Sequence, residues 1–423
     1  MIGVVIAIFV LGYSAIAFEH PLKINKSGTA ILMGVFIWTI YQLFSNNTNV
    51  ANELAHHLTG IAEILFFLMG AMTIVEVVDA HDGFNLITNR INTTSKIRLL
   101  WIMTIITFFL SAVLDNLTAT IVMISLARKL IKNPEQRLFF AGMTVIAANA
   151  GGAWSPIGDV TTTMLWIGGQ ISAVNIIKAL FIPSLICALV PLVYVTFFNK
   201  SSLMGKLDKL DKKKLSPENK IMFFAGIGGL VFVPLFKQMT HLPPYIGMML
   251  ALGVVWVLAD VIHRKKDNED QRRFSASNAL MRIDMPSLLF FLGILLAVSG
   301  LESLHILTSL AQWMDQTIGN KDVIVIGIGL LSAVVDNVPL VAASIGMYDL
   351  TSYPINHKIW EFIAYCAGTG GSILIIGSAA GVAAMGMEKI DFIWYLKKFG
   401  FIAFLGYIAG AIIYLIQFEL FYT

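Results

Sequence analysis

Long apolar runs alternate along the chain with short polar or basic stretches. Residues 2–18, 28–44, 60–81, 138–168, 172–198, 219–236, 243–262, 285–303, 359–386 and 399–420 are almost continuously apolar. A helix that spans a bilayer needs about 20 such residues. The pattern therefore predicts ten crossings, far more than a single anchor or signal peptide supplies. Two further stretches, 97–131 and 323–348, read differently, because an Asp-Asn pair interrupts each of them near its middle.

Loop charges decide how these runs are threaded, since Lys and Arg of short loops collect on the cytoplasmic side. With the N-terminus outside, Lys23 and Lys26 fall inside, the uncharged-by-base loop 45–59 falls outside, and Arg90, Lys96 and Arg98 fall inside. Arg128, Lys129, Lys132 and Arg137 then follow 97–131 and are basic again, so both ends of that stretch face the cytoplasm. At about 1.5 Å per residue, its roughly 35 residues span about 50 Å, too short for two crossings of a core about 30 Å thick. A re-entrant helical hairpin with its tip at Asp115-Asn116 satisfies both constraints, and 323–348 is its counterpart entered from outside. The loop 199–220 (Lys200, Lys206, Lys209, Lys212, Lys213, Lys214, Lys220) then lies inside. So do 263–284 (Arg264, Lys265, Lys266, Arg272, Arg273, Arg282) and 387–398. On this threading 25 of the 29 basic residues are cytoplasmic, leaving Lys178, Lys237, Lys321 and Lys358 outside, and both termini are extracytoplasmic.

Composition agrees: 57% of the 423 residues are hydrophobic and 13% charged, against about 25% charged in a soluble domain. The net charge of +3 is explained by orientation in a membrane and calls for no nucleic-acid partner. Cys187 and Cys366 lie within apolar runs without metal-ligand neighbours and read as small buried hydrophobes. Trp38, Tyr41, Trp394 and Tyr395 fall near helix ends, as an aromatic belt requires. No Walker A sequence, zinc spacing or nucleophile constellation occurs, so neither ATP-driven transport nor an enzyme is indicated, and no cofactor is called for.

The chain is also internally duplicated. Ser111–Met123 (SAVLDNLTATIVM) matches Ser332–Ser344 (SAVVDNVPLVAAS), and each copy precedes a Gly-rich break in an apolar helix: Asn149–Thr163 (NAGGAWSPIGDVTTT) and Gly368–Ala380 (GTGGSILIIGSAA). Upstream, Ile64–Leu68 (ILFFL) resembles Leu288–Leu292 (LLFFL). The expected fold is an all-α polytopic membrane protein with an inverted repeat, two re-entrant helical hairpins and two broken transmembrane helices. Residues 1–59 form N-terminal scaffold helices. The first repeat is 60–198, with hairpin 97–131 and broken helix 138–168. Residues 199–284 contribute a cytoplasmic loop, two helices and a second cytoplasmic loop. The second repeat is 285–423, with hairpin 323–348 and broken helix 359–386.

Inverted repeats with broken helices point to a secondary transporter, its substrate and ions bound near the midplane at the breaks. Freed carbonyls and helix C-terminal ends attract cations there, and helix N-terminal ends attract anions. Asp115 and Asp336 at the tips, each followed by an amide (Asn116, Asn337), together with Asp159 in the first break, supply hard oxygen ligands suited to a small alkali cation. A mid-membrane carboxylate is also costly when ionised, so a proton competes with the cation for its charge. Asn149, Thr118 and Thr161 complete the candidate ligand set. Gly151, Gly152, Gly370 and Gly371 permit the breaks, and Ser378 stands opposite Asp159. The plainer readings are that Asp115 and Asp336 cap the inner hairpin helices, Asp159 lies at the surface at the end of the broken helix, Asn serves a turn, and Thr118, Thr161 and Thr162 satisfy backbone. Glu63, Glu76, Asp79, Glu302 and Glu361 are further intramembrane acids, most of them near predicted helix ends, where a solvated carboxylate is the expectation.

The tip motifs Asp115-Asn116-Leu-Thr118 and Asp336-Asn337-Val-Pro339, with Gly151-Gly152 and Ser155-Pro-Ile-Gly158-Asp159, resemble the NhaD family of sodium/proton antiporters. That family lies within a broader superfamily that includes dicarboxylate and arsenite carriers. The resemblance covers nearly the whole chain and implies exchange of cytoplasmic Na+ or Li+ for protons, a bacterial inner membrane, and a homodimer with a scaffold and a moving transport unit. In the dicarboxylate members the tip resembles Ser-Asn-Thr and the break Thr-Pro-Ile-Gly-Thr-Pro. Here Asp replaces the tip Ser, and Asp159 replaces the Thr, which shifts the site toward a cation. A sodium-coupled dicarboxylate carrier or an arsenite-type exporter of the same fold, and a cation channel, are the alternatives.

The threading predicts that alkaline phosphatase fused after Thr423 is active in a bacterial host and a green fluorescent protein fused there is dark. The reverse pattern would overturn it.

Overall fold

The computed structural model describes residues 1–17, 23–45, 48–89, 93, 95–198, 215–264 and 274–421, with the side chains of residues 88 and 129 outside that set. Several of the basic residues used in the charge count (Arg90, Lys129 as a side chain, Lys200, Lys206, Lys209, Lys212, Lys213, Lys214, Lys265, Lys266, Arg272 and Arg273) therefore lie outside the described residues, as does Thr423. The regular structure is helical: α1 Ile2–Ala17, α2 Lys26–Phe44, α3 Val50–Ala80, α4 Lys96–Ser111, α5 Asn116–Leu130, α6 Pro134–Ala153, α7 Val160–Ile167 and α8 Ala173–Phe198. These are followed by α9 Pro217–Thr240, α10 Pro244–His263, α11 Met285–Ser303, α12 Ile306–Thr317, α13 Lys321–Leu331, α14 Asn337–Met347, α15 Lys358–Gly370, α16 Ala379–Glu388 and α17 Phe392–Phe421.

Among the described residues seven helices, α2, α3, α8, α9, α10, α11 and α17, are long and apolar enough to cross a membrane, and the chain is a multi-pass membrane protein. Between them lie two helical hairpins, α4–α5 and α13–α14, and two interrupted helices, α6/α7 and α15/α16. The interruptions fall where an Asp, Pro or Gly-rich sequence stops an otherwise apolar helix: residues 112–115, 154–159, 332–336 and 371–378.

Equivalent contacts recur in the two halves. Ser111 donates its hydroxyl to the Ala148 carbonyl at 2.6 Å, and Ser332 donates to the Ala367 carbonyl at 2.7 Å. A Cβ on Gly151 would stand 2.2 Å from the Phe108 carbonyl oxygen, and one on Gly370 would stand 1.9 Å from that of Gly329. Each hairpin thus lies with its backbone directly against its broken helix. None of Gly151, Gly152, Gly370 and Gly371 has positive φ. These glycines serve close approach rather than an unusual backbone turn.

The hairpins and broken helices are braced from outside. On α17, Tyr395 donates to the Ser372 carbonyl (2.8 Å), Tyr407 to that of Ile326 (2.9 Å) and Tyr414 to that of Lys358 (3.1 Å). A buried Tyr needs such a partner, and here the partners are backbone groups of the second half. At one end of this body Glu388, almost fully buried, pairs with Arg128 (2.7 Å) and Arg137 (3.0 Å), tying α5 and α6 to α16. Opposite it, α2 and α11 cross closely through Gly34 and Gly293, whose added Cβ atoms would meet partner backbone at 2.8 and 2.4 Å.

Three expectations change. The predicted outer loop 45–59 is helical from Val50, because Ala51, Glu53 and Leu54 favour helix and Val50 packs with Trp38, Tyr41 and Leu54. The helix therefore runs through the boundary drawn at residue 59. Trp38 and Tyr41 are buried rather than in a lipid-facing belt: Trp38 donates to the Leu296 carbonyl at 2.8 Å and Tyr41 to Glu53 at 3.0 Å. The amphipathic α12 was not foreseen, since its alternation of apolar and polar residues gives no continuous apolar run. Cys187 and Cys366 are buried free thiols, as their surroundings predict.

Gly370→Ala should destabilise the detergent-solubilised protein by about 1–3 kcal/mol, the scale of core overpacking, whereas Gly327→Ala, whose Cβ meets nothing within 4 Å, should be neutral or better. Thermal unfolding followed by tryptophan fluorescence distinguishes the two.

Candidate functional site

Four short helices begin at the breaks, and each is capped by a polar residue from the interruption before it. Asp115 caps α5 through the Thr118 N–H (2.8 Å), and Asp159 caps α7 through the Thr161 N–H (3.0 Å). Asp336 caps α14 through the Val338 N–H (3.4 Å), and Ser378 caps α16 through the Gly381 N–H (3.2 Å). The plainer reading of Asp115 and Asp336 as caps is therefore true as far as it goes, Asp159 and Ser378 cap as well, and Asp159 is buried rather than at the surface. Capping does not exhaust them, because a carboxylate accepts several hydrogen bonds.

Asp159 is the centre. It is 1% exposed, and beyond the Thr161 N–H its oxygens accept the Thr161 hydroxyl (2.9 Å), the Asn116 amide (2.8 Å) and the Asn337 amide (3.3 and 3.4 Å). The two hairpin tips thus meet on one carboxylate. Asn116 also donates to Asn149 Oδ1 at 3.0 Å, while the Asn149 amide donates to Ser378 Oγ (2.8 Å) and Ser372 Oγ (2.9 Å). Asn149 links the first broken helix to the second. Ser372 is a member of the cluster that the sequence did not single out, because a lone Ser beside glycines carries no distinguishing pattern.

Asp115 and Asp336 stand beside this cluster rather than in it. Both oxygens of Asp115 are engaged by Thr118, the second through its hydroxyl at 2.7 Å. Asp336 pairs with Lys26 at 3.4 Å. The expected cation set at Asp115, Asp159 and Asp336 is thus resolved into one carboxylate at the centre and two flanking it, with the amides of Asn116, Asn149 and Asn337 between them. Among the described residues no three His, Cys, Asp or Glu side chains cluster as a polydentate metal centre.

Glu361 proves to be buried at 1% exposure, not solvated near a helix end, and accepts from Tyr414 (2.9 Å) and Asn175 at a place apart from the Asp159 cluster.

A cavity of about 700 Å³ approaches the cluster between Lys26 of α2, Glu76 of α3, Thr118 of α5, the Arg282–Asp284 turn and Ala379 and Val382 of α16. It reaches the first turns of α5 and α16, next to the caps Asp115 and Ser378.

A family model described as a citrate transporter, CitMHS, matches residues 6–360, a span that holds both hairpins and the first broken helix. The chain belongs to the CitMHS family. Among its relatives, sodium/proton antiporter 1 of Arabidopsis thaliana is 52% identical over 96% of this chain and 71% of its own length. Sodium/proton antiporter 2 of the same plant is 48% identical over 96% of this chain and 98% of its own. The Na(+)/H(+) antiporter NhaD of Alkalimonas amylolytica is 31% identical over 97% and 90%. The resemblance to NhaD antiporters inferred from the tip and break motifs is thereby borne out, and this CitMHS member is a transporter, not an enzyme.

Asn149→Ala removes the donor to two buried hydroxyls and an acceptor for Asn116. It should cost about 1–3 kcal/mol, the penalty for leaving a buried polar group unpaired, read as a lower unfolding temperature in detergent.

Proposed function

We propose that this CitMHS member is a secondary active sodium (or lithium)/proton antiporter that exports Na+ in exchange for H+ by alternating access. The observation that carries the reading is the buried Asp159 on which the amides of both hairpin tips converge. The names of its relatives support it.

The charge balance at the four capped helices separates a cation from an anion as substrate. A helix N-terminus acts as roughly half a positive charge, so four of them supply about +2. Three caps are Asp and one is Ser. With all three ionised the caps contribute −3, and the sum is about −1, which favours a small cation. With neutral caps the same four N-termini would attract an anion, which is the arrangement suited to a carboxylate. One fold can thus serve both substrate classes, and the acids at positions 115, 159 and 336 decide between them. Protonating one of the carboxylates brings the local sum to about zero and removes the preference for a cation. Cation and proton therefore bind as alternatives at the same carboxylates, the requirement for exchange.

The hairpins and broken helices, joined through Glu388 and Asn149, form the moving unit in this reading, and α2, α3 and α9–α11 the scaffold. The cavity beside Thr118 opens on the face that the charge count assigns to the cytoplasm, which makes this an inward-open arrangement. Counting α1 and each broken helix as one crossing gives ten, with the two repeats inverted and both termini outside. A homodimer and a bacterial inner membrane follow from the NhaD resemblance.

In everted vesicles from a host lacking its own sodium exporters, Na+ should dissipate a respiration-generated proton gradient at alkaline pH. Asp159→Asn should reduce that flux by about a hundredfold or more, the scale of losing a buried charge partner worth about 3 kcal/mol. Wild-type activity with citrate but not with Na+ would support the carboxylate reading instead.

A further inference from the structure

We infer that Lys26 is a resident counter-ion of the transport site, holding the Asp336 carboxylate when no cation is bound and giving it up when Na+ arrives. The inference rests on the antiport reading and concerns how that same site is emptied.

Lys26 is the first residue of α2, held in place by the Asn25 cap (2.8 Å to the Ser27 N–H) and by the Ser27 hydroxyl on the Pro286 carbonyl (2.6 Å). Its ammonium lies 3.4 Å from Asp336 Oδ2 and 4.5 Å from the centre of the Phe290 ring. The two side chains are only 22% and 14% exposed. Because α2 crosses α11 through Gly34 and Gly293 with almost no gap, the lysine belongs to the scaffold, while Asp336 sits at a hairpin tip of the moving unit. The pair therefore spans the two bodies that alternating access must displace.

Its charge completes the balance drawn above. Four N-termini and three ionised acids sum to about −1; with the ammonium on Asp336 the empty site is near zero, and the negative balance that favours a cation returns only when the ammonium leaves the carboxylate. A half-buried carboxylate without a counter-ion is unfavourable, so Asp336 is stable either with Lys26 or with a bound cation. Lys26 also lines the cavity through which an ion from that face would come. The step is a swap of one cation for another on a single carboxylate. No bond is made or broken, and Lys26 competes with Na+ rather than binding it. The lysine should weaken cation affinity and hasten release.

The test is Na+-dependent proton flux in proteoliposomes at one fixed pH, comparing wild type with Lys26→Gln and Lys26→Arg. The expected result for Lys26→Gln is a half-saturating Na+ concentration lower by roughly 1.5-fold to fivefold, the range for a partly exposed ion pair, with a lower maximal rate. Lys26→Arg should stay near wild type in affinity, since the charge remains. An unchanged or higher half-saturating concentration in Lys26→Gln, with wild type active, overturns the inference and leaves the antiport reading intact. Inactive wild type would overturn both. If Lys26→Gln does not transport, isotopic Na+ binding to the purified variant decides: tighter binding supports the counter-ion role, and equal or weaker binding refutes it.

Discussion

Four helix breaks within one apolar body impose the constraint from which the rest of this structure follows. Backbone that leaves helical geometry away from water must find other partners, and the chain supplies them residue by residue. Asp115, Asp159, Asp336 and Ser378 take the free N–H groups, while Ser111, Ser332 and the tyrosines of α17 reach free or accessible carbonyls. The same requirement brings four positive helix ends together. What the caps are made of then sets the electrostatic character of the space between them.

That space is organised by amides. Asn116 and Asn337 carry the two hairpin tips to Asp159, and Asn149 carries the first broken helix to Ser372 and Ser378 of the second. Amides suit the task because they both donate and accept: Asn149 accepts from Asn116 while donating to both serines. The two halves are not equivalent. Ser378 occupies the place of Asp159, so a single central carboxylate serves both tips.

The contacts around the breaks differ in how closely they pack. Glu388 with its two arginines and the backbone-to-backbone packing at Gly151 and Gly370 leave the hairpins and broken helices little freedom relative to one another. Two long lysine side chains also reach this body from neighbouring helices. Lys26 reaches Asp336, and Lys237 of α9 donates to the Trp166 carbonyl at the end of α7 at 3.0 Å. Long lysine side chains tolerate displacement of a partner better than close glycine contacts between backbones do.

The breaks, the duplicated Asp-Asn tips and the membrane class were legible in the chain because polar residues and glycines stand out against apolar runs about 20 residues long. A charged residue in such a run also announces a site. The fate of each acid was not legible. Asp115, Asp159 and Asp336 look alike in sequence, yet only Asp159 receives the amides of both halves, because the crossing of α6 and α15 places it between the tips. Lys26 was read as an orienting charge of a cytoplasmic loop, a role that any basic residue near a helix end fills. Only the fold, by crossing α2 tightly on α11, brings its ammonium to a hairpin tip more than 300 residues away. Sequence by itself determined which segments break and which carry charge, since those are local properties of a chain in lipid. Tertiary structure decided which charges face one another, because that depends on helix crossings fixed by contacts distant in the chain.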